Sequence, residues 1–126
     1  MPEAGRIDLV EIVTVTYILE LAQSGNDKSA AAVLEHEIDK ARDMDLCKPF
    51  NPLQEYLGIQ AWLALKMHDR KTFDKVLADL KKRHWSLTAP VGVTPRSLYV
   101  QAERYDLALA AYLEEVSRDQ IGRAHV

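Results

Sequence analysis

Histidine and glutamate residues on one helix face bind zinc when two histidines stand four residues apart with a glutamate after the first. His36 and Glu37 begin such a motif in LEHEIDK, but Lys40 occupies the position of the second histidine. Because that ligand is missing, we interpret His36 as a solvated residue on a helix surface. His68 and His84 are far apart in the sequence, and we expect them at helix ends. The sequence therefore predicts no metal site.

Nucleophilic and phosphate-binding chemistry also lacks its usual residues. Cys47 is the only thiol, and the only charged residue beside it is Lys48. A reactive cysteine needs surroundings that lower its pKa, so a structural thiol is the favoured interpretation. The five glycines are scattered, and none opens a helix after a strand. We therefore expect no catalytic residue, no cofactor and no enzymatic activity.

A basic segment, KKRHW, provides the strongest local charge. It supplies a candidate basic patch of Lys81, Lys82, Arg83 and Trp85. Cations beside an aromatic ring could contact phosphates and stack a nucleobase. The favoured interpretation is a cationic last turn that stabilises its helix through the helix dipole. A third interpretation is pairing with an acidic partner, such as the acidic first hairpin of another copy. We do not expect nucleic acid as the partner.

Composition and charge are those of an ordinary globular protein. The 126 residues suit one domain or a few repeats of a longer array, with 48% hydrophobic and 28% charged residues. A net charge of −3 does not draw the chain to nucleic acid or to an anionic membrane. No apolar run approaches the roughly 20 residues that span a bilayer, and the first residues do not resemble a secretory signal. With its single cysteine, the protein is expected in the cytoplasm.

Six segments of apolar periodicity, separated by short polar turns, predict helices. In the fourth segment, Phe73, Val76, Leu77 and Leu80 stand at i, i+3, i+4 and i+7. The first, about 8–22, alternates apolar and polar residues as a strand would, but its length favours a helix. Paired helices with connections of about four residues must pack antiparallel. The sequence therefore predicts an all-α fold of three antiparallel helical hairpins, stacked as a short α-solenoid.

Internal similarity appears when the three hairpin turns are aligned. The aligned segments are 25–34 (GNDKSAAAVL), 68–77 (HDRKTFDKVL) and 103–112 (ERYDLALAAY). Each has an apolar residue five positions after its first residue and a large apolar residue four positions later. The second helix of a hairpin must approach its partner closely at one position and fill the groove between hairpins one turn later. We therefore expect burial between hairpins of Leu34, Phe73, Leu77 and Tyr112, with Trp62 near the centre of the core.

This pattern resembles the tetratricopeptide repeat. In the third unit, Tyr105, Ala108 and Tyr112 stand where that family has a turn aromatic, a small residue and a large residue. In the second unit, Ala61 and Ala64 match the close-contact stretch of the first helix, although the family prefers an aromatic at the latter. The departures are a spacing of 43 rather than about 34 residues, together with Phe73, Ile18 and Pro95. Long, degenerate repeats of this kind are similar to those of large ATP-dependent bacterial transcription activators and of repeat-bearing sensor proteins.

The resemblance implies a protein–protein interaction scaffold that binds a protein or peptide in a groove lined by the first helices. The residues expected to reach that groove are Tyr17, Tyr56, Gln60 and Tyr99. Two alternatives remain open. One is a regulatory or sensor segment of a larger transcription activator or signalling protein. The other is a small helical bundle whose basic edge contacts nucleic acid.

The last six residues, IGRAHV, resemble the in-frame translation of a sequencing adapter. We therefore separate residues 121–126, as a non-native tail, from a helical-repeat domain predicted for 1–120; a native basic tail is the alternative. If the tail is non-native, residues 1–120 are a fragment of a longer array and the sixth helix lacks its cap. The tail should then be disordered or merely extend that helix. Partial exposure is expected for Leu109, Leu113 and Val116, which would permit self-association through this helix.

Overall fold

The computed structural model describes residues 2–44 and 51–124, and the burial of side chains within 10–44 and 51–119. This part of the chain forms six α-helices and contains no strand. The helices are α1 (Pro2–Gln23), α2 (Asp27–Asp43), α3 (Leu53–Lys66), α4 (Arg70–Lys82), α5 (Pro95–Gln101) and α6 (Tyr105–Ala124). The all-α prediction is therefore confirmed for the described residues.

Helix α1 includes the segment whose alternating pattern was typical of a strand. Its Ile18 and Ala22 are completely buried, and α1 packs along α2. Burial against α2 stabilises the helix more than the β-branched residues of this segment oppose it, because tertiary packing commonly overrides intrinsic propensity. The prediction that residues 12–21 are helical is confirmed.

The three hairpins reverse direction through the same backbone turn. Just after the first helix of each hairpin ends, one residue has a left-handed backbone conformation. Its φ is 87° at Gly25, 58° at His68 and 59° at Glu103. In each turn the next N–H donates to the carbonyl five residues earlier at 2.8 Å: Asn26 to Leu21, Asp69 to Ala64, and Arg104 to Tyr99. This is the Schellman motif, which satisfies carbonyls at the end of a helix. The turns that align in sequence thus share one conformation.

Two helices begin with a side-chain cap. The Asp69 carboxylate accepts a hydrogen bond from the Thr72 N–H at 3.1 Å, and the Thr94 hydroxyl accepts one from the Ser97 N–H at 3.2 Å. Pro95 follows as the first residue of α5, where its missing N–H has no partner to lose. Thr94 and Pro95 together therefore define the start of α5.

Helix α3 lies at the centre of the molecule. It packs against α2, α4 and α5, whereas α1 packs against α2 and α6 packs against α5. Nine of its 14 residues are buried, as expected for a helix that is apolar around most of its circumference. The connector between α4 and α5 also crosses it, with the Gln54 amide donating to the Ser86 carbonyl at 3.0 Å.

Polar contacts join the three turns along one edge of the molecule. Lys66, at the end of α3, forms an ion pair with Asp27 at 3.1 Å and also donates to the Ala22 carbonyl. At the next turn, ion pairs link Arg70 to Glu103 at 3.2 Å and Arg104 to Asp74 at 2.7 Å. Such exposed pairs each contribute only about 0–1 kcal/mol. Their positions nevertheless show that the turns of successive hairpins are neighbours.

Burial departs from the sequence-based expectation in two of the hairpins. Leu34 and Phe73 are buried as predicted, with exposures of 1% and 0%. Leu77 is only half-buried. Tyr112 is 46% exposed, so the prediction that it is buried is wrong. Because α6 rests mainly on α5, no neighbouring helix covers Tyr112, and the Arg96 guanidinium lies 5.4 Å from the centre of its ring instead.

The prediction that Trp62, on α3, lies near the centre of the core is also wrong. This side chain is half-buried at the edge of the core rather than at its centre. It faces partly outward, with the Lys66 ammonium 5.7 Å from its ring.

The expected exposure on α6 is confirmed. Leu109 and Leu113 are 58% and 56% exposed, and Val116 is half-buried. The backbone of residues 121–124 continues α6, which is one of the two outcomes expected for the tail. The tail's side chains, and residues 125–126, lie outside the described residues, and its origin as a non-native tail stays a prediction.

Candidate partner-binding surfaces

No metal or nucleophile site emerges from the described residues. His36 is exposed on α2, and no three histidine, cysteine, aspartate or glutamate side chains in the described part could hold a metal ion together. Cys47 lies outside the described residues. None of the described helices is long and apolar enough to span a bilayer.

A mainly apolar groove of about 380 Å³ lies where α4, α5 and α6 meet the connector between α4 and α5. We call it the Trp85 groove. Its walls include Leu77 and Lys81 from α4, Trp85 and Leu87 from the connector, Tyr99 from α5 and Leu107 from α6. Its apolar walls and single cation would suit an amphipathic segment better than a phosphate.

The end of α4 positions Trp85. His84 has a left-handed backbone with φ of 58°, and the Trp85 N–H donates to the Leu80 carbonyl at 2.9 Å. This fourth Schellman turn folds the connector back across its own helix. Leu87 then anchors the connector, with only 6% of its surface exposed. The groove wall is therefore held by backbone hydrogen bonds and by core packing.

Arg83 is already engaged by other side chains. Its Nε donates to Asp79 at 3.0 Å, and its guanidinium lies 5.4 Å from the centre of the Trp85 ring. Arg42 bonds the other oxygen of the same carboxylate at 2.8 Å. Burial would raise the pKa of Asp79, but the hydrogen bonds from Arg42 and Arg83 outweigh it and hold that pKa below its usual range.

The predicted basic patch is consequently divided. Lys81 and Lys82 are exposed, Arg83 and Trp85 are half-buried, and Lys81 is the cation that borders the groove. One face of the Trp85 ring is covered by the guanidinium of Arg83, so that face is closed to a stacking base. This arrangement fits the interpretation of a cationic helix end.

The four predicted partner-binding residues do not line one groove. Tyr99 is half-buried in the Trp85 groove, whereas Tyr56 is 4% exposed and lines a different pocket. Gln60 faces a third depression, between α2, α3 and α4, and Tyr17 is 52% exposed on α1. Position on the first helix of a hairpin therefore does not determine which surface of the molecule a residue faces. The structure instead joins Tyr99 to Trp85, residues that the sequence placed in separate sets.

Sequence reasoning missed two walls of the Trp85 groove. Leu87 stands in a loop segment, and Leu107 stands at the start of the sixth helix, so no periodic pattern connects them.

A second pocket, of about 330 Å³, lies between α1, α2 and α3. We call it the Tyr56 pocket. Its walls are mostly apolar, with two acidic side chains and one basic side chain among them: Val10, Ala41, Met44, Pro52, Glu11, Glu37 and Lys40. Burial, together with the nearby carboxylates of Glu37 and Glu11, raises the pKa of Tyr56 to about 12, although the hydrogen bond with the Thr14 side chain lowers it in part.

This raised pKa predicts a loss of stability at high pH. Below pH 10, the usual value for an unfolded tyrosine, Tyr56 is protonated in both states and its full contribution is present. As the pH rises through the folded value of about 12, the unfolded state loses its proton first and the contribution is lost, by about 2–3 kcal/mol at most. Denaturant unfolding over this range should show a steeper decline in wild type than in Tyr56→Phe. Equal slopes would contradict the burial of the hydroxyl.

Comparisons with known proteins were made against family models, curated proteins and solved structures. None of the three gives a match for this chain.

Proposed function

We propose that this protein is a protein–protein interaction scaffold of the tetratricopeptide-repeat type, without catalytic activity, in which three helical hairpins stack as a short solenoid. The support for stacking is local. The three turns share the Schellman geometry at equivalent sequence positions, and ion pairs join each turn to the next along one edge. Repeat proteins of this kind present grooves to partner segments.

The observation that carries the proposal is the convergence of Trp85, Tyr99 and Leu107 from three separate elements in one open apolar groove. Aromatic side chains that remain partly exposed in a preformed depression are typical of protein-binding surfaces. We propose the Trp85 groove as the binding site for a partner segment.

The charge beside the groove indicates the chemistry of that segment. Lys81 borders it, while the neighbouring Arg83 is paired with Asp79. A short amphipathic helix with leucines on one face and glutamates beside them would place apolar side chains in the groove and a carboxylate near Lys81.

A designed peptide pair tests this proposal. The first peptide carries leucines at helical spacing flanked by glutamates, and the second replaces every glutamate with lysine. We expect calorimetry to detect binding of the acidic peptide alone, weakening as salt is added. Lys81→Glu should reduce the affinity about tenfold or more, as expected for reversal of a contacting charge.

The matched control is Lys71→Glu, which reverses an exposed charge at the other end of α4 and should leave the affinity unchanged. Leu107→Glu should abolish binding, because it places a charge in the apolar wall. Equal binding of both peptides, or no binding of either, would count against this site. The regulatory or sensor alternative stays a prediction.

A further inference from the structure

The first and last helices both carry uncovered apolar faces. On α1, Val10, Val13 and Tyr17 are 64%, 62% and 52% exposed. On α6, Leu109 and Leu113 are 58% and 56% exposed. In each case the residues recur at helical spacing, so they form a continuous stripe on one side.

A single neighbouring helix does not by itself explain these faces. Helix α4 also has one major helix neighbour, α3, yet its outward side carries charged residues such as Asp74, Lys75 and Lys82, all exposed. None of the large apolar residues of α4 is exposed to solvent. The outward sides of α1 and α6 thus differ in chemistry from that of α4, and apolar stripes of this kind mark interaction surfaces.

The repeat register relates the stripe on α1 to a contact inside the molecule. With the 43-residue offset between the first two turns, Val10 and Val13 of α1 correspond to Leu53 and Tyr56 of α3. Those two residues are buried, at 0% and 4% exposure, and Tyr56 lies against α1 and α2 in the Tyr56 pocket. The residues of α3 that face the preceding hairpin therefore have apolar counterparts on α1 that remain exposed: Val13, and Val10 at the wall of the Tyr56 pocket.

The same register relates α6 to α2. Tyr112 and Val116 of α6 correspond to Leu34 and Ile38 of α2. Leu34 and Ile38 are 1% and 3% exposed on a helix packed between α1 and α3. Tyr112, in contrast, is 46% exposed, because α6 has α5 as its main helix neighbour. Leu109 and Leu113, whose counterparts on α2 are the half-buried Ala31 and the exposed Glu35, extend the apolar surface of α6 beyond this face.

We propose that a second copy of this chain covers these faces head to tail, with α1 of one copy packing on α6 of another as α3 packs on α2. The occupant is specified by continuity: the exposed Val13 of α1 and Tyr112 of α6 are the repeat counterparts of Tyr56 and Leu34, which are buried on α3 and α2, two helices that pack against each other. The contact is heterologous. In a pair of copies, one copy keeps its α1 face free and the other keeps its α6 face free, so the association continues to further copies. It depends on the hairpin stacking proposed above but not on the Trp85 groove.

Sedimentation equilibrium of the whole chain tests the contact. We expect the weight-average mass of wild type to rise above the monomer value of 14.3 kDa as the concentration approaches about 1 mM, the range of weak specific association. Val13→Glu and Tyr112→Glu each place a charge on one face, and each variant alone should remain a monomer. A mixture of the two should form a dimer and nothing larger, because only one productive pair of faces remains.

The control is Val91→Glu, at a loop residue that is 99% exposed; it should associate as wild type does. Circular dichroism verifies folding, and Val10→Lys with Leu109→Lys gives a second pair of variants if either first variant unfolds. A wild type that stays monomeric overturns the proposal, as does a mixture that stays monomeric. Continued association of either single variant would also overturn it, because it would show a symmetric contact between like faces.

The peptide assay separates this proposal from the binding groove. Val13→Glu should still bind the acidic peptide in the Trp85 groove, since α1 contributes no residue to it. If the wild type binds the acidic peptide but does not associate, the head-to-tail proposal alone is overturned. If the wild type associates but does not bind the peptide, the groove proposal alone is overturned.

Discussion

Replacing Phe73 by alanine is expected to lower the free energy of unfolding by about 3–5 kcal/mol, the range for a large-to-small change in a core. Phe73 is completely buried on α4, the second helix of the central hairpin, and its removal leaves a cavity that the surrounding helices can fill only in part. Because whole domains are stable by about 5–15 kcal/mol, this one change would remove a large share of the total. Urea denaturation followed by circular dichroism measures the loss.

The matched variant is Leu77→Ala, one turn further along the same helix. Leu77 is half-buried at the Trp85 groove, so less apolar surface is returned to water and the expected loss is about 1–2 kcal/mol. A loss at position 77 equal to that at position 73 would show that the groove is closed in solution.

The second large effect is expected at Gly58, in the middle of α3. Helix propensity alone predicts that Gly58→Ala stabilises the protein by about 1 kcal/mol. The structure predicts the opposite sign, because a Cβ there would lie 2.3 Å from Thr88 Oγ1 and 2.4 Å from the Thr88 carbonyl oxygen. Since one of these atoms belongs to the backbone, the connector must shift, at a cost of about 1–3 kcal/mol.

Thr88→Ala in the Gly58→Ala background separates the two contacts. It removes the hydroxyl but leaves the carbonyl, so only part of the lost stability should return. Thermal unfolding of both variants measures this, and tryptophan fluorescence, to which Trp62 and Trp85 both contribute, gives a second signal for displacement of the connector. A stabilised Gly58→Ala protein would show that the connector does not cross α3 at this distance.

Local patterns in the sequence were sufficient for the helices and turns. The periodicity of Phe73, Val76 and Leu80 depends on residues within one helix, and all three are buried. Thr94 before Pro95 likewise predicts a helix start from two adjacent residues. Alignment of the turns at Gly25, His68 and Glu103 found the positions that the structure gives left-handed backbones, although two of them are not glycine.

Contacts between distant segments could not be found in this way. Tyr112 matches Leu34 in the repeat, but its burial depends on whether another helix covers α6, which no local pattern encodes. The approach of Thr88 to Gly58 joins residues about 30 positions apart. The Trp85 groove needs the relative placement of α4, α5 and α6, so its residues appeared in the sequence only as unrelated aromatic and basic positions.

The shared Schellman turns also bear on how fast the chain can fold. Each turn closes through hydrogen bonds spanning five residues or fewer, and each helix packs mainly on helices close to it in the chain. Little loop-closure entropy must be lost before contacts form, and proteins with such local contacts fold in microseconds to milliseconds. A hairpin can therefore nucleate wherever its turn forms first, and neighbouring hairpins can add to it from either side.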